Sequence, residues 1–165
     1  MYSKIKIAGH PVHPMLVAFP IAFYTAAFAA YLAYNGNQDP FWFKLALVAN
    51  GAGVTTALLS AVPGFIDWVN IPGEVPAKRT GFIHLMVHVL ALTLFIVCFL
   101  MEVNKWDDAQ PVLGAAIALT ATGVVFTLIG GFLGWTLVQK HHVGIDELKE
   151  QPRPASGKPS YGPTI

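Results

Sequence analysis

The sequence contains few charged residues and has long stretches without any. Asp, Glu, Lys and Arg together make up 12% of the 165 residues, whereas 55% are hydrophobic. Between Met15 and Tyr34, and again between Val112 and Val138, there is no charged residue at all. Soluble domains typically have about 25% charged residues. The composition therefore excludes an ordinary soluble domain and indicates a membrane protein.

Cysteine is almost absent, and neither sign of charge is in clear excess. The single cysteine, Cys98, has no partner for an internal disulfide and lies in an apolar stretch, which is typical of a small packing residue. The formal net charge is +1, so the chain lacks the basic surplus of nucleic-acid-binding domains. We expect the lipid bilayer, and no nucleic acid, as a partner.

Four apolar segments are long enough to cross a bilayer as helices, which takes about 20 residues. The predicted spans are about 15–34, 41–63, 81–101 and 112–138. The prolines just before the first span predict that helix begins only after them. A cleaved signal peptide is the competing interpretation of this first segment.

The loops between the spans are short and rich in turn-forming residues, which favours neighbouring antiparallel helices. The predicted fold is therefore an all-α integral membrane four-helix bundle with up-down-up-down topology, formed by residues 1–143. Residues 144–165 are rich in Pro, Gly, Ser and Lys and predict a disordered tail.

The distribution of basic residues predicts the orientation. With four spans, both termini lie on the same side, and eight of the ten Lys and Arg residues fall on that side: Lys4, Lys6, Lys78, Arg79, Lys140, Lys149, Arg153 and Lys158. Only Lys44 and Lys105 fall on the other side. The positive-inside rule then places both termini in the cytoplasm. We expect a multi-pass protein of the bacterial inner membrane.

Two histidines stand out in the third apolar segment. His84 and His88 are four residues apart, so they lie on one face of a helix, one turn apart. Imidazoles are costly in hydrocarbon and are therefore expected to face a partner or a ligand inside the bundle. A structural role, in which they bond hydroxyls or carbonyls of neighbouring helices, is the alternative.

The predicted threading brings further polar residues to the same membrane face. His10 and His13 precede the first span, Asp67 closes the second, and His141 and His142 follow the fourth. All six histidines of the chain would therefore lie at one face. The alternative for His10 is a turn-capping role. The alternatives for Asp67 are an ion pair with Lys78 or Arg79 and hydrogen bonds to backbone donors at the start of the third span. For His141 and His142 the alternative is simple solvation.

Haem b with two axial imidazoles from different helices is the leading hypothesis for these histidines, in an electron-transfer role. It requires histidines at similar depth, room for a flat macrocycle and basic groups near the propionates. His13 and His88 are the first-choice ligands, and His84 and His10 come next. Lys78 and Arg79 are placed to meet the propionates.

Two other functions stay open. The same four histidines, His13, His88, His84 and His10, together with Asp67, form a nitrogen and oxygen set that suits non-haem zinc, copper or iron, for catalysis or transport. Asp67 would then be a ligand or would fix an imidazole tautomer. The third possibility is a metal-free structural subunit of a larger membrane complex. Whether the protein is an enzyme is not decided by the sequence.

Four motifs resemble those of a bacterial family of predicted four-span membrane proteins of unknown function. They are Gly-His-Pro-Val-His-Pro-Met-Leu-Val-Ala-Phe-Pro at 9–20, Pro-Gly-Phe-Ile-Asp-Trp at 63–68, the histidine pair of the third span, and Gly-Gly-Phe-Leu-Gly-Trp-Thr-Leu-Val at 130–138. The resemblance covers about residues 7–145 and implies four helices. Family members occur near or fused to redox modules, which favours electron transfer. We expect other redox membrane proteins, or a second copy of this chain, as partners. The family's last span tends to end in a single His-Gly, whereas this chain has His141-His142-Val-Gly144, so no role passes to these two histidines.

Overall fold

A computed structural model describes residues 3–108 and 111–145 of the chain. Nearly all regular structure in this part is helical. The elements are two short strands, β1 (Lys6–Ile7) and β2 (His10–Pro11), and five α-helices, α1 (Val12–Leu16), α2 (Ala18–Asn37), α3 (Pro40–Val69), α4 (Pro76–Glu102) and α5 (Gly114–Gln139). A short 3₁₀ turn, Val103–Lys105, continues α4.

Helices α2 to α5 form a closed ring of neighbours. The closest packing is within the two helical hairpins, α2 with α3 and α4 with α5, and the ring is completed by α3 with α4 and α2 with α5. Consecutive helices are therefore antiparallel, and α2 lies diagonally opposite α4. Four helical segments, one of them α1 continued by α2, have the length and hydropathy of membrane spans. The predicted all-α, four-span bundle is confirmed.

The turn between α2 and α3 shows how the sequence sets helix ends. Gln38 adopts a left-handed backbone conformation with φ of 59°, and its N–H bonds the carbonyl of Tyr34, which closes α2. Asp39 then accepts a hydrogen bond from the Phe41 N–H at 2.9 Å, which caps α3. Pro40 follows at the first helical position, where its missing N–H costs nothing. Two residues are enough to reverse the chain.

The second and third spans are longer than the sequence predicted. Helix α3 does not end at Pro63 but continues to Val69, and α4 begins at Pro76 instead of 81. Both differences follow from where the prolines lie within the helices. Pro63 removes one hydrogen bond of the α3 ladder, but apolar packing on both sides of it keeps the helix intact. Pro76 occupies the first position of α4, where proline favours helix initiation.

The N-terminal segment folds back on itself before the first span. Strands β1 and β2 pair antiparallel across a two-residue turn, Ala8-Gly9, in which both residues have positive φ. The prediction that Pro11 and Pro14 exclude helix up to the first span is wrong. Helix α1 begins at Val12 because Pro14 lies in its first turn, where an N–H has no acceptor within the helix. The predicted tail from 146 onward lies outside the described residues.

We call the end of the bundle that holds α1, the start of α4 and the end of α5 the histidine end. The opposite end, with the α2–α3 turn and the α4–α5 connection, is the loop end.

Candidate functional site

Three imidazoles from two helices meet at the histidine end. His13 lies on α1, and His84 and His88 lie in the third and fourth turns of α4. The ring centres of His13 and His84 are 6.2 Å apart with nearly perpendicular planes, and those of His84 and His88 are 4.5 Å apart. All three side chains are partly buried. Because α1 leads into α2, the cluster spans the diagonal between the α2 side and α4.

His13 is held by α3. Its Nδ1 lies 2.8 Å from the carbonyl oxygen of Ser60. Gly64 makes room for the ring, because a Cβ at this position would lie 2.7 Å from both Cε1 and Nδ1 of His13. Pro63 interrupts the hydrogen-bond ladder of α3 in this same turn. The Pro63-Gly64 pair therefore adapts α3 to receive the imidazole.

His84 and His88 are held by the glycines of α5. The Nδ1 of His84 lies 2.9 Å from the carbonyl oxygen of Gly130. A Cβ at Gly134 would lie 3.1 Å from Cε1 of His84, and a Cβ at Gly130 would overlap Nε2 of His88. Each imidazole thus packs directly against helix backbone. Two glycines of the fourth span, Gly130 and Gly134, therefore make room for these two side chains.

These contacts define the tautomers of two rings. A carbonyl oxygen only accepts hydrogen bonds, so Nδ1 of His13 and of His84 must donate, which leaves Nε2 of each neutral ring as an acceptor. Metal-ligating histidines are commonly oriented in this way by a backbone carbonyl. The arrangement can therefore offer two imidazole lone pairs to a ligand between α1 and α4.

A layer of aromatic rings separates the cluster from the rest of the bundle interior. Tyr24 and Phe95 stack with ring centres 3.6 Å apart and planes within 3° of parallel. Gly53 and Gly123 admit these rings, because a Cβ would lie 2.6 Å from the Tyr24 ring and 2.5 Å from the Phe95 ring.

In the structure Asp67 contacts the N-terminal segment. Its carboxylate accepts hydrogen bonds from the Ser3 hydroxyl at 2.7 Å and from the Lys4 N–H at 2.8 Å. These contacts differ from the two alternatives considered for Asp67, which were an ion pair with Lys78 or Arg79 and hydrogen bonds to the start of α4. Asp67 instead holds the N-terminal segment against α3.

His10 does not join the cluster. It is exposed on β2, and its Nδ1 lies 3.0 Å from the carbonyl oxygen of Ala8 in the adjacent turn. This contact is the turn-capping role considered for it. At the other terminus, His141 Nε2 lies 3.3 Å from the hydroxyl of Thr80, so His141 contacts α4, whereas His142 is exposed at a position with φ of 52°.

The two basic residues predicted near the site have different surroundings. Lys78 donates from Nζ to the Trp68 carbonyl at 2.8 Å and lies 4.3 Å from the centre of the Trp68 ring. It therefore binds the end of α3. Arg79 is exposed at the start of α4. Within residues 3–108 and 111–145, no group of three or more His, Cys, Asp or Glu side chains is arranged to hold a metal ion.

The fold and the cluster define a class: a four-span helical membrane protein with buried imidazoles at one end of the bundle. The chain belongs to the family described as predicted membrane protein (DUF2231), whose model matches residues 9–147. Comparisons with curated proteins and with solved structures found no match. The family membership confirms the expected resemblance and assigns no reaction.

Two buried polar residues were not predicted as functional. Asn50 lies in the middle of α3, and Glu102 ends α4, where the sequence predicted a loop. A polar residue in the middle of an apolar segment is a signal that could have identified Asn50. Glu102 gave no comparable signal, because an acidic residue next to a predicted loop is expected to be exposed.

Proposed function

We propose that this protein binds haem b at the histidine end and transfers electrons within the membrane, with His13 and His84 as the axial ligands. The supporting observation is the separation of these two rings across the bundle. We therefore prefer His84 to His88 as the partner of His13, because His84 is the α4 histidine whose ring lies edge to face with that of His13.

The distance between the rings suits two ligands of one metal. A metal lies about 2.0 Å from an imidazole nitrogen, which places it roughly 3 Å from the ring centre. Two imidazoles on opposite sides of one metal therefore have centres roughly 6 Å apart. The observed separation of His13 and His84 is 6.2 Å. His84 and His88, at 4.5 Å on one helix, are too close to be such a pair.

A flat ligand would enter between α1 and α4. The small residues Gly64 on α3 and Gly130 and Gly134 on α5 lie on the two helices that flank this diagonal. The imidazoles now occupy the space beside these glycines, so a macrocycle requires α1 to move outward. Helix α1 has five residues, Val12–Leu16, and its hydrogen bond to α3 from His13 would have to open for this movement.

The residues of this chain have separate roles in the proposal. The carbonyls of Ser60 and Gly130 fix the tautomers of His13 and His84 and leave Nε2 of each as the ligand atom. Arg79, exposed at the start of α4, would pair with a propionate, and Lys78 would do so only by leaving Trp68. Bound haem supplies one-electron chemistry. The Tyr24–Phe95 layer closes the site toward the bundle centre.

The orientation and partners are part of the proposal. The histidine end carries Lys4, Lys78, Arg79 and Lys140, which favours the cytoplasmic side of a bacterial inner membrane by the positive-inside rule. The electrons would then pass to another redox membrane protein or to a second copy of this chain near that surface.

A single non-haem metal ion is the second candidate, and one observation favours it. His88 contacts His84 edge to face, so a third imidazole is available beside the first two. Imidazole nitrogens are ligands that zinc, copper and iron accept, and the three rings would have to rotate to converge on one ion. Asp67 is bound to the N-terminal segment and does not complete this set. A metal-free structural subunit would use the same contacts only for packing.

An absorption spectrum of the purified protein, together with its metal content, tests these candidates. We expect a Soret band that shifts on reduction with dithionite, is lost in His13→Ala and in His84→Ala, and persists in His141→Ala. A colourless protein with stoichiometric zinc or copper would replace haem by the second candidate. A colourless, metal-free protein would overturn both.

A further inference from the structure

A second polar cluster lies in the other half of the bundle, beyond the Tyr24–Phe95 layer. Its most unusual member is Glu102, whose side chain is only 1% exposed. Acidic residues inside a membrane bundle are costly and usually mark a pathway for ions or protons. Glu102 lies at the end of α4, one turn beyond Cys98, so it faces the interior of the loop end.

Among the described residues, one oxygen of Glu102 has a hydrogen-bond partner and the other has none. Lys105 donates from Nζ to Oε1 at 2.8 Å, and the Lys105 side chain is 32% exposed. Oε2 is buried without a hydrogen bond within the described residues. The pair therefore consists of a carboxylate inside the bundle and a cation at its edge, with one carboxylate oxygen available for another partner.

Asn50 has an unpartnered side chain in the same cluster. It is 0% exposed, and neither the oxygen nor the nitrogen of its amide has a hydrogen bond of good geometry among the described residues. Tyr31 lies within interaction range of both Asn50 and Glu102. Its hydroxyl also lies 3.9 Å from the Cys98 sulfur. An amide can accept or donate, and a hydroxyl can do both, so these groups suit either protonation state of a neighbouring carboxyl.

The cluster is close to water at the loop end. A surface pocket of about 230 Å³ is lined there by Tyr34, Lys44, Trp106, Asp107 and Asp108, among others. Tyr34 is one turn beyond Tyr31 on α2, and its buried hydroxyl is also unpartnered. The Lys105 side chain is 32% exposed, so it links Glu102 to the solvent at this end.

We propose that Glu102 is a proton-binding site that exchanges with the loop end of the bundle, with Asn50 and Tyr31 as its internal hydrogen-bond partners. Leaving a buried carboxylate without a cation is strongly unfavourable. In this proposal a proton from solvent takes the place of the Lys105 ammonium on the carboxylate when that ammonium turns outward into water. Lys105 and the proton compete for the same group.

Few described titratable or polar groups lie around Glu102, so Lys105 and the proton compete for its carboxylate without other charged groups bonded to it. Tyr31 on α2 and Cys98 on α4 interact with Glu102, and Asn50 on α3 interacts with Tyr31 and Cys98. Lys105 follows in the 3₁₀ turn. Lys44, Asp107 and Asp108 lie farther out in the pocket. Helix α5 contains no titratable side chain. Lys105 is therefore the only described cation bonded to this carboxylate.

The site is independent of the proposed haem function, because Tyr24 and Phe95 separate it from the imidazoles. Infrared difference spectroscopy of the full chain in lipid nanodiscs, recorded across a pH titration, tests it directly. We expect a carboxylic acid carbonyl band that shifts in D₂O and is lost in Glu102→Gln. The exposed-carboxyl control, Asp107→Asn, should retain it.

Two further variants separate a proton site from a purely structural ion pair. Lys105→Gln removes the competing cation, so the band should grow several-fold at neutral pH. Asn50→Leu should shift the frequency of the band, because the protonated carboxyl loses a neighbour. A titration in which wild type and Glu102→Gln give the same spectra would overturn the proposal. So would a Lys105→Gln variant that loses stability without any increase of the band.

Discussion

The carboxylate of Asp67 accepts a hydrogen bond from the hydroxyl of Ser3 at 2.7 Å, across 64 residues of sequence. A second bond, from the Lys4 N–H at 2.8 Å, uses the other carboxylate oxygen. The N-terminal segment is thus fixed to α3 immediately before the hairpin and α1, which carry His13. The position of His13 at the histidine end therefore depends on an acidic residue that does not touch it.

Replacing Asp67 by alanine should release the N-terminal segment while leaving the bundle folded. Hydrogen bonds to a charged group contribute about 1.5–3 kcal/mol each, so local opening should become markedly easier. Hydrogen exchange measured by mass spectrometry should show faster exchange over residues 3–12. Asp39→Ala is the matched control, because it removes a carboxylate cap at the opposite end of α3. Equal exchange of the N-terminal segment in both variants would contradict the role of Asp67.

His10 and His13 are three residues apart but should respond differently to substitution. His10 is exposed and bonds only within its own turn, whereas His13 contacts α3 and His84. His10→Ala should therefore leave the absorption spectrum and metal content of the purified protein unchanged. His13→Ala should abolish any bound pigment or metal. Loss of the ligand in His10→Ala alone would move the site outward to the hairpin.

The fold was predictable from the sequence because bilayer thickness sets the length of each apolar segment. The predicted helix ends were wrong at prolines, because a proline can either end a helix or begin one. Pro63 was expected to end a helix, yet α3 passes through it to Val69, because packing against neighbouring helices outweighs one missing hydrogen bond. Pro76 begins a helix where a loop was expected, since the same residue that breaks a helix interior favours a helix start.

The site was predictable only in part. The four-residue spacing of His84 and His88 placed both on one helix face, and the structure has them there. The choice between His10 and His13 depends on a hairpin turn and on Gly64 of another helix, and neither is visible in local spacing. Asp67 was expected near the histidines because it lies at the same membrane face. Its actual partners come from the extreme N-terminus, a pairing that no periodicity encodes.

A reporter fused after Ile165 should behave as cytoplasmic. Eight of ten basic residues lie on the side of the termini, and each lysine or arginine near a span biases that side toward the cytoplasm. An alkaline phosphatase fusion at the C-terminus should be inactive and a fluorescent protein fusion should be bright. Fusions placed after Asp108 should give the reverse pattern. Active phosphatase at the C-terminus would invert the orientation, and with it the side from which Glu102 receives protons.

Gly130 and Gly131 are adjacent in α5 but should differ sharply when each is replaced by alanine. A Cβ at Gly130 would overlap the His88 ring, whereas a Cβ at Gly131 would meet nothing within 4 Å. Gly131→Ala should be neutral or stabilising by roughly 0.5–1 kcal/mol, because alanine favours helix. Gly130→Ala should cost about 1–3 kcal/mol, as is typical when extra volume is forced into a packed interior.

Thermal unfolding in detergent measures both effects, and ligand content distinguishes packing from function. If His88 only fills space, Gly130→Ala will lower the melting temperature and leave bound haem or metal unchanged. If the imidazoles form a ligand site, Gly130→Ala will also displace His84, whose Nδ1 is bonded to the Gly130 carbonyl at 2.9 Å. The loss of ligand should then exceed what the drop in stability explains. Identical behaviour of the two alanine variants would mean that α5 does not pack on the histidines as described.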